Sequence, residues 1–178
     1  MEYQIVIAGF GGQGLLFSGK VLAYAALMEQ RELSWLPSYG PEMRGGTANC
    51  NVIISDTPVG SPIVQNPNVL MVMNTPSLDK YEKTVVPGGK IFVDSSLVSR
   101  KVERTDVEAV YIPATKMAGD MGIPTLAIMI LLGAIVKSTG CVGDEAVLAG
   151  LKKIVSAQHA DLLDANLQAI QAGKDFLA

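Results

Sequence analysis

The sequence is poor in the side chains that hold metal centres. Its 178 residues contain two cysteines, Cys50 and Cys141, and one histidine, His159, and no C-x-x-C spacing occurs. A cysteine-ligated iron–sulfur cluster needs about four thiolates, and a zinc site about four nitrogen or sulfur ligands. The chain alone therefore supplies neither centre. We interpret both cysteines as buried thiols in a reducing compartment, not as a disulfide.

Charged residues are also scarce, at 17% of the chain against 49% hydrophobic residues. About 25% charged residues is typical of soluble domains. Two interpretations of this low share of charged residues remain open. The protein has a large core beneath a Gly- and Ala-rich surface, or its surface is partly covered by other subunits. The net charge of −3 gives no basic footprint for a phosphate backbone, so we exclude nucleic acid as a partner.

Long apolar runs are absent as well. The longest, residues 123–136, contains Pro124 and Gly133 and is shorter than the about 20 residues that a membrane-spanning helix needs. It predicts a buried helix, and we expect no membrane contact. The first residues lack the basic start of a secretory signal peptide, so we expect a cytoplasmic protein.

The chain does contain a regular alternation of strand and helix patterns. Apolar runs predict strands, and helical periodicity predicts the segments between them. We place strands at 4–8, 33–36, 47–54, 69–73, 90–94 and 108–112, and helices at 15–29, 75–84, 114–121, 125–138, 144–155 and 161–176. Pro37 should end the second strand, and the direction of the third stays open. This pattern predicts one α/β domain over residues 1–178, a three-layer sandwich with a largely parallel, Rossmann-like sheet.

A glycine-rich segment follows the first predicted strand. Gly9, Gly11, Gly12, Gln13 and Gly14 belong to a G-x-G-x-x-G motif that opens the first helix, the context that a dinucleotide-binding loop requires. No acidic or arginine residue ends the second strand to bind a ribose, so we predict that NAD does not bind. Two interpretations stay open: an anion site for another phosphate, or a structural turn packed against a partner.

A second candidate loop, residues 38–46, follows the second strand. Arg44 is flanked by Gly45 and Gly46 and could present a fixed guanidinium to a carboxylate or phosphate. Glu42 could pair with it. The alternative, which stays open, is a Glu42–Arg44 bridge that only holds the shape of the loop.

Together these segments resemble the γ subunit of 2-oxoacid:ferredoxin oxidoreductases. The resemblance spans most of the chain and is carried by Ile7–Gly14, Trp35–Cys50, Gly60–Pro62, Asn74–Leu78, Pro87–Gly89 and Ala114–Ala134. The amino-acid sequence of the second loop is more similar to that of 2-oxoglutarate and branched-chain 2-oxoacid members than to that of pyruvate members. One departure is Ile128–Met129, where members of the family often carry Asn-Met.

The resemblance implies a subunit of an enzyme complex. Such complexes convert a 2-oxoacid and coenzyme A (CoA) to an acyl-CoA and carbon dioxide and reduce ferredoxin. They use thiamine diphosphate, Mg2+ and [4Fe–4S] clusters, which partner chains would carry here. This chain is expected to have a structural role and to contact CoA through the two loops. We expect no catalytic residue and no metal ligand on it. The alternatives are a stand-alone nucleotide- or CoA-binding protein and a free dehydrogenase.

Two further residues, His159 and Lys20, have side chains that can act in catalysis or bind phosphate, but neither lies in a functional motif. His159 lies between the last two predicted helices and is interpreted as a surface or capping residue. Lys20 lies one turn into the first helix, but the P-loop spacing that would give it a phosphate is not met.

Overall fold

The computed structural model describes residues 1–38 and 48–178, and six strands form one mixed sheet in that part of the chain. They are β1 (Glu2–Gly9), β2 (Glu32–Ser38), β3 (Ala48–Ser55), β4 (Val69–Val72), β5 (Lys90–Asp94) and β6 (Glu108–Ile112). Their order in the sheet is β2-β3-β1-β4-β5-β6. β1, β4, β5 and β6 run parallel, whereas β3 is antiparallel to both of its neighbours.

Within these described ranges, six α-helices connect and cover the strands. They are α1 (Leu15–Met28), α2 (Thr75–Tyr81), α3 (Ala114–Asp120), α4 (Ala127–Thr139), α5 (Asp144–Ile154) and α6 (Ala160–Asp175). Short 3₁₀ helices occupy Glu82–Thr84, Pro124–Leu126 and Ala157–His159. No helix among the described residues combines the length and the hydropathy required to cross a membrane.

The sheet separates two hydrophobic cores of unequal size. In β1, Ile5 and Ile7 face the larger core together with α1, α4, α5 and α6, whereas Val6 and Ala8 face the smaller core with α2. A strand buried on both faces needs apolar residues at consecutive positions, which explains the unbroken apolar run of β1. Helices on both faces of a largely parallel sheet confirm the predicted α/β sandwich.

The predicted helix through the apolar run 123–136 is confirmed as α4. Every residue from Ala127 to Val136 is buried. Its start differs from the predicted residue 125, because Pro124–Leu126 form a 3₁₀ helix before α4. Its end is the expected one, since Gly140 caps the helix in a left-handed conformation, φ 62°. Glycine adopts that conformation without steric cost.

The prediction that Pro37 ends the second strand is wrong. β2 continues to Ser38, and Pro37 pairs with Cys50 of β3. Proline is tolerated there because β2 is an edge strand, so its missing N–H breaks no bond on the open side. The direction of β3, which the sequence left open, is antiparallel to β2. Nine residues separate the two strands, fewer than the dozen or so that a crossover between parallel strands needs.

The connections after β1 and β4 diverge at the carboxyl edge of the sheet. α1 follows β1 and packs in the larger core, whereas α2 follows β4 and contributes Leu78 to the smaller core. In open α/β sheets, ligands bind at the carboxyl edge where such connections diverge. A functional site is therefore expected at this edge of the sheet.

Candidate functional site

The glycine loop, residues 9–14, joins the end of β1 to the start of α1 as predicted. Gly12 and Gly14 both have φ 85°, a conformation that strongly favours glycine. Gly14 is also the N-cap of α1, and no side chain caps the helix there. Helix N-termini carry N–H groups without intrahelical partners, so the first turn of α1 suits an oxygen or an anion from outside the helix.

Gln13 closes the glycine loop on itself. The N–H of Phe10 donates a hydrogen bond to Oε1 of Gln13 over 2.7 Å. A side chain at position 9 would place its Cβ 2.4 Å from the same oxygen, and 3.2 Å from Cβ of Met73. Gly9 is therefore required by its close neighbours, and Gln13 Oε1 is already engaged within the loop.

A cavity of about 370 Å³ lies beside the glycine loop. Its walls are the loop, the first turn of α1 (Leu15–Phe17), Ser38 and Ala48. None of the described residues that line it is charged. Phe10 is 43% exposed and forms part of the wall. The cavity therefore offers an apolar surface next to the N–H groups of a helix N-terminus.

The second candidate loop begins and ends at this cavity. Ser38 and Ala48, which flank residues 39–47, both line it, and Ala48 pairs with Gly9 in the sheet. Glu42, Arg44, Gly45 and Gly46 themselves lie outside the described residues, so their roles stay predictions. The structure does bring the glycine loop and both anchors of the second loop together at one edge.

Ile128, where the sequence departs from the resembling family, contacts the glycine loop. A Cβ at Gly14 would lie 3.2 Å from Cγ2 of Ile128, and Ile128 is 1% exposed. An apolar side chain here adds no hydrogen-bonding group at the loop. The loop is thus supported from beneath by the buried helix α4, a contact between positions more than a hundred residues apart.

The chain matches a known protein family over nearly its whole length. The family model described as pyruvate ferredoxin/flavodoxin oxidoreductase matches residues 4–176. The chain belongs to that family. The oxidoreductase resemblance inferred from the motifs is thereby confirmed at the level of the family.

Individual relatives of the oxidoreductase family differ in length. The chain is 41% identical over 176 residues to ketoisovalerate oxidoreductase subunit VorA of Methanothermobacter thermautotrophicus, covering 98% of this chain but 36% of that protein. It is 38% identical over 149 residues to 2-oxoglutarate synthase subunit KorC of Methanocaldococcus jannaschii, covering 82% of this chain and 80% of KorC. The chain therefore spans about a third of the length of VorA and most of the length of KorC.

A solved structure of the oxidoreductase family shares the fold. The crystal structure of the keto/oxoacid ferredoxin oxidoreductase γ subunit from Geobacter sulfurreducens superimposes with a TM-score of 0.83 at 31% identity. The match covers 97% of this chain and 96% of that subunit. The two chains therefore correspond over nearly their whole lengths.

The other residues considered in the sequence do not line the cavity. His159 is exposed at the end of a 3₁₀ turn before α6, as predicted.

Cys50 and Cys141 are both free and buried, which confirms their interpretation as buried thiols. Burial raises the pKa of the Cys50 thiol to about 12, so it stays protonated and unreactive near neutral pH. Among the described residues, no group of three His, Cys, Asp or Glu side chains could share a metal ion.

The apolar wall of the cavity was not predicted from the sequence. Phe10 occupies a variable position of the glycine motif, and Leu16 and Phe17 looked like ordinary helix residues. An aromatic residue inside a glycine-rich loop, where no core is expected, was the available signal. The hydrogen bond between Gln13 and Phe10 left no such signal, because it depends on how the loop turns.

Proposed function

We propose that this chain is a non-catalytic, γ-type subunit of a thiamine-dependent 2-oxoacid:ferredoxin oxidoreductase. The observation that carries the proposal is the correspondence of the whole chain with the whole G. sulfurreducens γ subunit. The complex would oxidatively decarboxylate a 2-oxoacid in the presence of CoA, yielding an acyl-CoA, carbon dioxide and reduced ferredoxin. Similarity to KorC over most of both chains supports 2-oxoglutarate as the substrate. The higher identity to VorA supports a branched-chain 2-oxoacid as the second candidate.

The redox chemistry belongs to partner chains in this proposal. Bound to those chains, thiamine diphosphate with Mg2+ would supply the electron sink for decarboxylation, and [4Fe–4S] clusters would supply the electron acceptors. The thiols of this chain do not fit a cluster, since Cys50 lies in β3, Cys141 lies after α4, and both are buried. Scarcity of charge, at 17% of residues, supports a surface partly covered by those partners. Ferredoxin would then dock on the cluster-bearing chain.

The carboxyl edge of the sheet is where this chain would contact CoA. The apolar wall formed by Phe10, Leu16 and Phe17 suits the aliphatic parts of the pantetheine arm. The uncapped first turn of α1 suits a carbonyl or phosphate oxygen. Arg44, in the loop anchored at the same cavity, would bind a phosphate. Binding and orienting CoA, with exclusion of water from its arm, is the contribution proposed for this chain.

The isolated chain should be colourless and inactive toward 2-oxoacids. Its two cysteines cannot ligate a four-iron cluster, so neither iron nor visible absorbance should purify with it. Iron analysis, an absorbance spectrum and an assay with 2-oxoglutarate, CoA and a viologen acceptor check this expectation. Stoichiometric iron in the isolated chain would overturn it.

Arg44→Ala should raise the KM for CoA in the assembled complex. Loss of a charge-assisted hydrogen bond to phosphate costs ~1.5–3 kcal/mol, or roughly tenfold and more in KM. The KM for the 2-oxoacid should hardly change, because its carboxylate binds beside thiamine on another chain. Steady-state kinetics with each substrate varied in turn measures both values.

Glu42→Ala is the matched control for Arg44→Ala. If Arg44 only forms a bridge with Glu42 that shapes the loop, both variants should weaken subunit assembly to a similar extent. Gel filtration of the two variant complexes gives the assembled fraction. A fully assembled Arg44→Ala complex with an unchanged KM for CoA would contradict the ligand role.

A further inference from the structure

The side chain of Gln13 fills space inside the glycine loop that the motif alone assigns to a ligand. In dinucleotide-binding loops, glycines permit a tight turn and the close approach of a phosphate. Here Oε1 of Gln13 lies 2.4 Å from where a Cβ at Gly9 would be placed. The absence of a side chain at position 9 thus makes room for the chain's own carboxamide.

The hydrogen bond from the Phe10 N–H to the Gln13 side chain joins two residues within this loop. It spans 2.7 Å between the Phe10 backbone nitrogen and the Gln13 side-chain oxygen. Gly11 and Gly12 form a turn, but no backbone–backbone hydrogen bond of good geometry joins residues 10–13 to one another in the described part of the chain. Gly12 adopts a positive φ and carries no side chain, so the carboxamide of Gln13 is the side-chain contact that holds this turn.

We propose that Gln13 is a positioning residue, which holds Phe10 and the neighbouring glycines in the arrangement that forms one wall of the cavity. Gln13 itself is not among the residues that line that cavity, whereas Phe10, Gly11, Gly12 and Gly14 are. The proposal rests on the proposed function in that the cavity receives part of CoA. It differs from the sequence prediction, which placed Gln13 among the residues that contact the ligand.

A second consequence concerns Gly9. A methyl group at this position would collide with Oε1 of Gln13 at 2.4 Å, whereas its next neighbours, Leu15 Cδ2 and Met73 Cβ, are at 3.2 Å. Gly9→Ala should therefore act mainly by expelling the Gln13 side chain. The substitutions Gly9→Ala and Gln13→Ala then break the same contact, and their effects should not add.

The test is a double-mutant cycle of Gly9→Ala and Gln13→Ala in the reconstituted complex. Each single variant should raise the KM for CoA by about two- to tenfold, the size expected from one net hydrogen bond, with a smaller change in kcat. The double variant should match the Gln13→Ala variant. The KM for the 2-oxoacid serves as an internal reference. Gly60→Ala is the matched glycine control, since a Cβ there has no neighbour within 4 Å.

Two results would overturn the positioning role: an unchanged KM for CoA in the Gln13→Ala complex, or a double variant whose increase equals the product of the two single increases. Thermal unfolding of the isolated full chain repeats the cycle without any partner. If the wild-type chain fails to support CoA-dependent turnover, the proposed function fails. In that case non-additive shifts in Tm would still support the Gln13–Gly9 contact, and additive shifts would refute it.

Discussion

Replacing Gly173 with alanine should destabilise the folded chain by ~3 kcal/mol or more, at the upper end of overpacking effects. Gly173 lies in α6, where a Cβ would come within 1.8 Å of the Ile130 carbonyl oxygen and 2.7 Å of its carbon in α4. Both are backbone atoms, so no side-chain rotation relieves the collision. α6 would have to move away from α4, which would loosen the packing of Ala169 and Ile170, both buried at present.

Gly133 occupies the reciprocal position of the same helix crossing. A Cβ there would lie 2.0 Å from the Ile170 carbonyl oxygen. Gly133→Ala should therefore be comparably destabilising, and once one substitution has separated α4 from α6, the second should cost less. The double variant is expected to be less destabilised than the sum of the two single variants.

Thermal unfolding of the isolated chain measures these effects. For a domain of this size, ~3 kcal/mol corresponds to a decrease in Tm of roughly 6–12 °C. Gly119→Ala is the matched control, because Gly119 is an exposed residue of α3 with no atom within 4 Å of its added Cβ. Alanine favours the helix more than glycine does, so that variant should be as stable as the wild type or slightly more stable. A Gly173→Ala chain with wild-type Tm would contradict the close packing of the two helices.

Removing the carboxylate of Glu82 should have an effect of similar size. Glu82 is 4% exposed, and its carboxylate lies 2.8 Å from Nη1 of Arg100. It also accepts hydrogen bonds from the backbone N–H groups of Glu103 and Arg104. Arg100 is 27% exposed and keeps Asp79 as a partner, so the main cost comes from the two backbone N–H groups, which lose their acceptor at about 1–3 kcal/mol each. Glu82→Ala should lower the stability of the chain accordingly.

The contribution of Glu82 should also depend on pH. Burial by itself raises the pKa of this carboxyl, but the hydrogen bonds from Arg100 and from the two backbone N–H groups outweigh it, so the pKa is lowered. A lowered pKa in the folded state stabilises the fold above the unfolded value of about 4.3. That stabilisation is lost as the pH falls from about 4.3 through the folded-state pKa.

Glu82→Gln separates the charge from the shape of the side chain. The Tm difference between wild type and this variant should be largest from pH 5 to 7 and should shrink below about pH 4. Asp120→Asn is the control, because the Lys116–Asp120 pair is exposed on both sides and should contribute little. A Glu82→Gln deficit that is the same at pH 3.5 and pH 7 would show that the charge of Glu82 is not what stabilises this region.

Local patterns in the sequence sufficed for the elements and for the strand–loop–helix context of the glycine motif. They succeeded because a parallel sheet covered on both faces needs apolar runs, as in β1, and because the glycines mark the turn before α1. β2 was predicted too short, because Pro37 was expected to end the strand. Proline is a strand breaker in general, but its effect depends on whether the strand lies at an edge, and the strand order is not a local property.

The contacts that shape the site were not predictable from local patterns. Ile128 supports Gly14 across 114 positions of sequence, and Gly133 and Gly173 permit a helix crossing that neither helix indicates alone. Glu82 lies in a segment predicted as helix, and nothing in its local sequence indicates that it is buried against Arg100 of a later loop. Each of these contacts depends on the packing of distant segments, and the hydrogen bond from Phe10 to Gln13 depends on the backbone path of the loop.

The γ-type subunit role proposed for this chain predicts stable association with the other subunits of a 2-oxoacid:ferredoxin oxidoreductase. Purification of the tagged chain from its native cells, under anaerobic conditions and without overexpression, tests this role. We expect partner chains to elute with it, together with thiamine diphosphate, iron and the brown absorbance of [4Fe–4S] clusters. The eluate should reduce a viologen or ferredoxin acceptor only when CoA and a 2-oxoacid, 2-oxoglutarate or 2-oxoisovalerate, are both present. A chain that elutes alone, without thiamine diphosphate, iron or this activity, would contradict this role.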